Sequence, residues 1–577
     1  MEALMNAKLA YLAVPALFIW GCSDNPCEDD PQSEACQEYQ TEVGDGESNE
    51  VIPPPGIEDL LISKITLNQG AQIELMSADD PIPEPEPEPE PESQGGDDLG
   101  MSCTSDDQCS LGLCIPFVGQ CGEPCTENND CANDPDCCPI SGGTECLFGV
   151  CVGGNQGGGG GGAGSGDDVE TRVIANRAGL LRVFVETKED FQTRELQMIL
   201  KFSDGAEYLK QIEVESNSEN TDLETTFNFD IPADQLTNGA SFHVELKETY
   251  GGSIQRWPSE DESELDTIST GTLRVVLVPV RYNADGSGRL PDVSDEQVDI
   301  YRDWIASMYP LEKLELTVRE PMDFNTTVQT QGWTNLLQAI MSLRSQDNPA
   351  DDVYYYGLIN PNTTFASYCS GGCVAGLSTL GTVGDPSSRA STGVGFSGTE
   401  SADTLVHELG HAHGREHAPC GLLGQPSDPG YPYDDAEIGV LGYDSDEGAL
   451  KSSSSYVDFM SYCYPIWLSD YTFTGLAYRM NALTGQQAMV RGNPKTYRVL
   501  IEGDDGRLSW GQPMRLRVQP AGVPVDIELF DHRQKHMGTT TVPMALVTHL
   551  SGGFLYIPEL EPDVAFVQYG VELIPVH

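Results

Sequence analysis

The stretch His407-Glu408-Leu409-Gly410-His411-Ala412-His413-Gly414-Arg415-Glu416-His417 decides how the middle of the chain must fold. Read as H-E-x-x-H-x-x-G-x-x-H, it puts His407 and His411 four residues apart on one face of a helix. Two imidazoles so placed can take two corners of a tetrahedral metal site. Glu408 sits beside them, where a carboxylate can take a proton from a water at the metal rather than bind the metal itself. Gly414 can enter the left-handed region, end the helix and return His417 as a third ligand, leaving one position open. A bare H-E-x-x-H arises by chance; the glycine and third histidine at fixed offsets make coincidence much rarer. The competing reading is an amphipathic helix with surface histidines. His413 lies off the ligand spacing, so a solvated position or a supporting one behind the ligands is expected for it.

A second signal follows at Asp458-Phe459-Met460-Ser461-Tyr462-Cys463. Together the two resemble the metzincin clan of zinc metallopeptidases, whose signature is the extended helix motif followed by a methionine turn. The likeness covers roughly Thr272 to Gly485, and the local texture at His417-Ala418-Pro419-Cys420-Gly421, Gly442-Tyr443-Asp444 and Trp467-Leu468-Ser469-Asp470-Tyr471 is similar to secreted bacterial members. The resemblance implies one catalytic Zn2+ ion on His407, His411 and His417, with Glu408 as general base and Met460 as an apolar floor that does not ligate. Tyr462 then stands where astacin-like and serralysin-like members carry a tyrosine that approaches the zinc or steadies a tetrahedral intermediate; a packed aromatic in the turn is the equal alternative. By the same likeness Ala390-Ser391-Thr392-Gly393-Val394-Gly395-Phe396-Ser397 would be the edge strand above the cleft, open to an extended peptide.

Four cysteines belong to this region. Cys369 and Cys373 flank Ser370-Gly371-Gly372 and can close a small loop, while Cys420 and Cys463 can tie the two halves of the metal site together. A thiolate ligand at Cys420 is the alternative, weakened because three histidines already fill the protein's share of a catalytic site.

Upstream, strands and helices alternate. Thr272 to Tyr282 reads as a buried strand around Val275-Val276-Leu277-Val278. Ser294-Asp295-Glu296-Gln297 reads as a helix start, with Val298, Tyr301, Trp304, Ile305 and Met308 on one face until Pro310. Leu314 to Val318 gives a strand, Trp333 to Leu343 a helix and Val353 to Ile359 another strand, which together make a mixed α/β sheet.

The flanks differ in kind. Period-two runs such as Leu181, Val183, Val185 and Phe242, Val244, Leu246 point to an antiparallel β-sandwich over residues 169–269. Similar runs near Met514, Val525, Phe554 and Val571 suggest a second sandwich over residues 486–577, leaving residues 270–485 for the zinc peptidase domain. Residues 101–152 hold Cys103, Cys109, Cys114, Cys121, Cys125, Cys131, Cys137, Cys138, Cys146 and Cys151, a density that implies about five disulfides in an oxidising compartment. A stapled spacer is the plainest role for this module, ahead of adhesion or substrate docking; a zinc knuckle is disfavoured by the absence of histidine. Residues 153–168 form a glycine-rich linker, and residues 22–100 read as an extended acidic spacer with a Pro-Glu repeat from Pro83 to Glu92. Cys27 and Cys36 can pair locally within it.

Residues 1–21 look like an export signal: Lys8 precedes an apolar run from Leu9 to Trp20, too short to span a bilayer stably. The run ends Ile19-Trp20-Gly21-Cys22, which resembles a lipobox, so Cys22 is the expected lipid anchor and a plain secreted protein the alternative. Across 577 residues, 30 basic and 91 acidic side chains leave a net charge of −61, which argues against nucleic acid as a partner because phosphates would be repelled.

The fold expected is therefore multidomain: an α/β metzincin-like catalytic domain flanked by all-β sandwich domains, with an N-terminal disulfide-rich module. The function expected is a monomeric zinc endopeptidase of the bacterial envelope or medium, acting on extracellular proteins or peptides. The alternatives are a surface adhesin or structural lipoprotein with a vestigial peptidase domain, and a non-peptidase zinc hydrolase.

Overall fold

The computed structural model describes residues 59–77, 171–249, 254–422, 424–485 and 493–576, with short strands between 114 and 152. The export signal, Cys22, the Pro-Glu repeat, the cysteine side chains of 101–152 and the glycine linker lie outside the described residues. The described chain is mostly β-sheet, in several sheets with few helices.

Alternation of apolar side chains builds the first pair of sheets. In chain order the strands are β1 (Leu60–Asn68), β2 (Gln72–Ser77), β3 (Gly179–Thr187), β4 (Arg194–Phe202), β5 (Glu207–Val214), β6 (Phe227–Ile231), β7 (Ser241–Glu248) and β8 (Ile254–Trp257). They pair antiparallel as β6-β3-β1-β2 and β5-β4-β7-β8, and Leu67, Val183 and Phe227 of one sheet share a core with Met198, Leu200 and Val244 of the other. The spacer expected over residues 22–100 therefore does not hold for Leu60–Ser77. β1 is an inner strand between β2 and β3, and Leu60, Ile65 and Leu67 are fully buried. Its apolar residues were hidden by averaging over an acidic, proline-rich stretch.

The second body is a mixed sheet with helices: β9 (Thr272–Tyr282), α1 (Asp295–Met308), β10 (Lys313–Val318), α2 (Thr330–Asp347), β11 (Val353–Ile359), β12 (Gly376–Ser378), β13 (Ala390–Val394), α3 (Thr399–Ala412) and α4 (Asp470–Gly485). The order is β10-β9-β11-β13-β12, parallel except for the antiparallel edge strand β12. Ser294 caps α1 by accepting from the Gln297 amide, as its position before Asp295 implied. Tyr309, just past α1, donates its hydroxyl to the Val406 carbonyl and so fixes α3 beneath the sheet.

One strand expectation is overturned here. Ala390–Val394 is buried throughout and paired on both sides, so the edge is β12. The cause is close approach: a Cβ on Gly393 would fall 2.1 Å from the Tyr356 hydroxyl and 2.9 Å from Thr404 Cγ2. The small residues mark tight packing rather than an open edge. Val394 spends its amide on the Ala375 carbonyl, 2.8 Å away, so a proline there would break the sheet itself.

The C-terminal strands are β14 (Lys495–Glu502), β15 (Leu508–Trp510), β16 (Met514–Leu516), β17 (Val523–Phe530), β18 (His536–Leu546), β19 (Gly553–Pro558), β20 (Phe566–Tyr569) and β21 (Glu572–Pro575). In place of the expected sandwich of two sheets they form one, ordered β15-β14-β19-β18-β17-β20-β21 with β16 also on β14. The sheet rolls until its ends meet: the Leu508 amide donates to Glu572 Oε2 at 2.9 Å, and the Trp510 indole to the Pro575 carbonyl at 2.8 Å. Leu500, Ile527, Val542 and Leu555 close the inside of the roll. The other face, with Tyr497, Val499, Ile501 and Phe554, shares a core with Trp333, Leu336 and Ile340 of α2. That docking brings the β18–β19 loop over α3.

Candidate metal centre

α3 is buried along its last two turns, and it carries His407 and His411 inward from one face with Glu408 beside them. The helix stops at Ala412. Gly414 takes φ of +87°, a value that favours glycine, and the Arg415 amide closes back on the Gly410 carbonyl at 2.9 Å. The reversed chain then delivers His417, whose ring sits beside the other two.

The Nδ1 atoms of two of these rings are committed to backbone carbonyls. His407 Nδ1 donates to the Phe459 carbonyl at 2.8 Å and His411 Nδ1 to the Arg415 carbonyl at 2.6 Å. Each neutral ring then keeps Nε2 as an acceptor only. Yet His411 Nε2 lies 3.1 Å from both His407 Nε2 and His417 Nε2. Acceptors that converge so closely need a cation between them; a tetrahedral metal with bonds of about 2.1 Å would place them about 3.4 Å apart. Burial lowers His407 and His417 to a pKa of about 3 and His411 well below its usual value, which keeps the rings in the neutral form that ligation requires.

His413 is neither solvated nor a ligand. It is buried, donates Nδ1 to the Leu409 carbonyl at 2.7 Å and stacks on Tyr354 with centroids 4.3 Å apart. It props the helix from behind.

The methionine turn floors the site. Met460 is buried, and its sulfur would lie 2.4 Å from a Cβ on Gly410, so the helix and the turn pack in direct contact there. The turn is pinned by the fully buried Asp458, which accepts from the Met460 and Ser469 amides and from the Ser469 hydroxyl. Cys420 and Cys463 form a disulfide, so Cys420 is not a thiolate ligand; Cys369 and Cys373 form another. Tyr462 brings its hydroxyl to 3.4 Å from His417 Nε2.

No family model matches this chain, and neither does any curated protein. The site therefore rests on its own geometry.

That geometry includes a residue the sequence did not flag. His549, from the β18–β19 loop of the C-terminal roll, joins the cluster: ligand atoms of His407, His411, His417 and His549 all lie within 4.8 Å of one another. This buried group of four histidines can hold a metal ion. His549 Nε2 is 2.8 Å from Glu408 Oε1, and its Nδ1 meets the Tyr462 hydroxyl. Nothing in Val547-Thr548-His549-Leu550-Ser551-Gly552 announces this, because no spacing rule links a hairpin loop to a helix in another body.

Glu408 is almost wholly buried, and burial pushes its carboxyl up to about 8. Its Oε2 has no hydrogen-bond partner among the described residues. An orphaned carboxylate oxygen beside converging acceptor nitrogens fits a bound cation and the water it would hold. Acid–base chemistry on such a water is what the arrangement can support.

Proposed function

We propose that this chain is a zinc-dependent endopeptidase of the metzincin type, hydrolysing peptide bonds of extracellular proteins. One observation carries the reading: His411 Nε2 lies 3.1 Å from both His407 Nε2 and His417 Nε2, with a buried carboxylate that keeps one oxygen unpaired beside them. The chemistry of that donor set suits Zn2+, with His407, His411 and His417 as its holders. Zinc bound there would supply Lewis acidity to a scissile carbonyl and acidify a water.

The chain's own groups do the rest. Glu408 takes the proton of the attacking water at its free oxygen and hands it to the departing amine as the C–N bond breaks. The Tyr462 hydroxyl donates to the carbonyl oxygen as it gains charge. Backbone carbonyls of Phe459 and Arg415 hold the ligand rings in one tautomer throughout. The outer edge of β12 is where an extended peptide would lie.

The net charge of −61 favours polypeptide over nucleic acid as substrate. We further propose export, with a lipid anchor at Cys22 or release into the medium; no described helix is long and apolar enough to cross a membrane.

Glu408→Gln tests the reading. The variant should bind zinc with unchanged stoichiometry and lose peptide hydrolysis by about 10²–10⁴-fold. Equal turnover in the two proteins, above that of the metal-free chain, would refute it.

A further inference from the structure

The edge that a peptide substrate would need is already taken. The Thr548 amide donates to the Ser378 carbonyl at 2.9 Å, and the Thr548 hydroxyl accepts from the Ser378 amide at 3.1 Å. Val547 bridges antiparallel to Thr379, the next residue beyond β12. The segment Val547-Thr548 thus lies along β12 as an added strand does, and the next residue, His549, turns into the metal site. Gln425 holds the loop from the opposite side through the His549 carbonyl at 3.1 Å.

His549 then fills what a hydrolytic site must leave empty. Three histidines complete the protein's share of a catalytic zinc site, and the fourth position belongs to water and substrate. Here a fourth ring brings a nitrogen within 4.8 Å of the other three ligand atoms. Its Nε2, which has no hydrogen-bond partner among the described residues, also lies 2.8 Å from Glu408 Oε1, so the same side chain crowds the proposed base. The loop holds this pose under strain, since His549 takes φ of +63°, a left-handed value that side chains with a Cβ rarely adopt.

We propose that His549 is a fourth metal ligand and that Val547–His549 is a built-in occupant of the substrate cleft, which holds the protein latent until the β18–β19 loop swings away or is cut. This rests on the peptidase reading for its consequence, though not for the ligation. The protein would carry its own inhibitor in its C-terminal roll. Peptides would compete with an intramolecular strand, and the metal would be closed to small chelating inhibitors in the resting state.

The test uses the full chain loaded with Co2+ for spectroscopy and with Zn2+ for activity. His549→Gly is the variant of choice because glycine tolerates the left-handed backbone, and His549→Asn is the second because asparagine also does. The expected result is a Co2+ spectrum that ignores millimolar acetohydroxamate in the parent and shifts with it in both variants. At equal zinc content the variants should hydrolyse a peptide library at least tenfold faster than the parent, and Glu408→Gln in the His549→Gly background should remove that gain. A parent spectrum that responds to acetohydroxamate as the variants do overturns the fourth ligand. Variants slower than the parent overturn latency and place His549 in turnover. The expected spectra with no hydrolysis by any protein support the ligation and overturn the peptidase reading instead.

Discussion

Gly376 and Glu408 meet face to face across the floor of the cleft: a Cβ on Gly376 would lie 2.5 Å from Glu408 Cγ and 2.6 Å from its Oε1. The edge strand thus leaves room for the carboxylate proposed as the general base. Gly376→Ala should push that carboxylate aside, at a cost of about 1–3 kcal/mol in stability for overpacking. The larger effect is expected on turnover, since misplacing a catalytic group by about 1 Å can cost about 10²-fold. Zinc stoichiometry should not change, because no ligand touches Gly376. Peptide kinetics equal to the parent's would show that the cleft has slack there.

How much of this was readable beforehand follows from range. Ser294 before α1, Gly414 after α3 and the four-residue step from His407 to His411 are local rules, and each is met within one or two turns of chain. Ala390–Val394 misled because small residues in a strand mean close packing as readily as exposure, and only the Tyr356 and Thr404 side chains decide which. β1 and His549 belong to a different class. Their partners, β3 in one case and α3 in the other, are fixed by long-range register and docking, which no periodicity within the segment encodes. The metal centre was therefore legible as far as one helix and its turn, and its fourth histidine was not.

The buried β1 strand predicts where a shortened protein will still fold. A chain starting at residue 58 retains Leu60, Ile62, Ile65 and Leu67, whereas one starting at residue 78 loses all four from the shared core. At about 1.5–3 kcal/mol for each buried aliphatic side chain, that loss is comparable with the whole stability of about 5–15 kcal/mol expected of a domain. The same hairpin also reaches the metal domain, where the Trp467 indole donates to the Gly70 carbonyl at 2.9 Å and the Tyr443 amide to the same oxygen at 3.0 Å. The longer chain should melt cooperatively by circular dichroism and the shorter should be insoluble or molten. Matching melts from the two would contradict the core assignment.

The Cys420–Cys463 disulfide links the loop after His417 to the methionine turn across a sequence separation of 43 residues. It is seconded by two backbone bonds, Ala418 amide to Met460 carbonyl and Tyr462 amide to Cys420 carbonyl, each 3.0 Å. Replacing both cysteines with serine should cost about 2–4 kcal/mol, most of it by freeing the unfolded chain. His417 rides on that loop, so zinc should also dissociate faster. Thermal melts and competition with a chromophoric chelator would read the two effects separately. Unchanged values in both would mean that the backbone bonds alone hold the turn.

Acid should undo the metal-free protein in a window set by its histidines. Burial lowers His407, His413, His417 and His549 to about 3 and His411 well below its usual value, whereas in the unfolded chain each would titrate near 6.5. Between those values the unfolded state binds protons that the folded state refuses, so stability is full above about 6.5 and falls as pH drops. Each such ring contributes a slope of up to about 1.4 kcal/mol per pH unit, and because four of them sit in one cluster their contributions are coupled rather than additive. Glu408 acts with the opposite sign: with its carboxyl raised to about 8, its contribution is present at acid pH and lost as pH rises through that value, but it is one group against five. Exposed carboxylates titrate lower, near pH 4, so the loss between about 6.5 and 5 belongs to the histidines. Urea unfolding of chelator-treated protein should show this loss, and zinc-loaded protein should keep its stability to lower pH because protons must first displace the metal. A flat stability curve across that window in the metal-free protein would mean that these rings are not held neutral and buried.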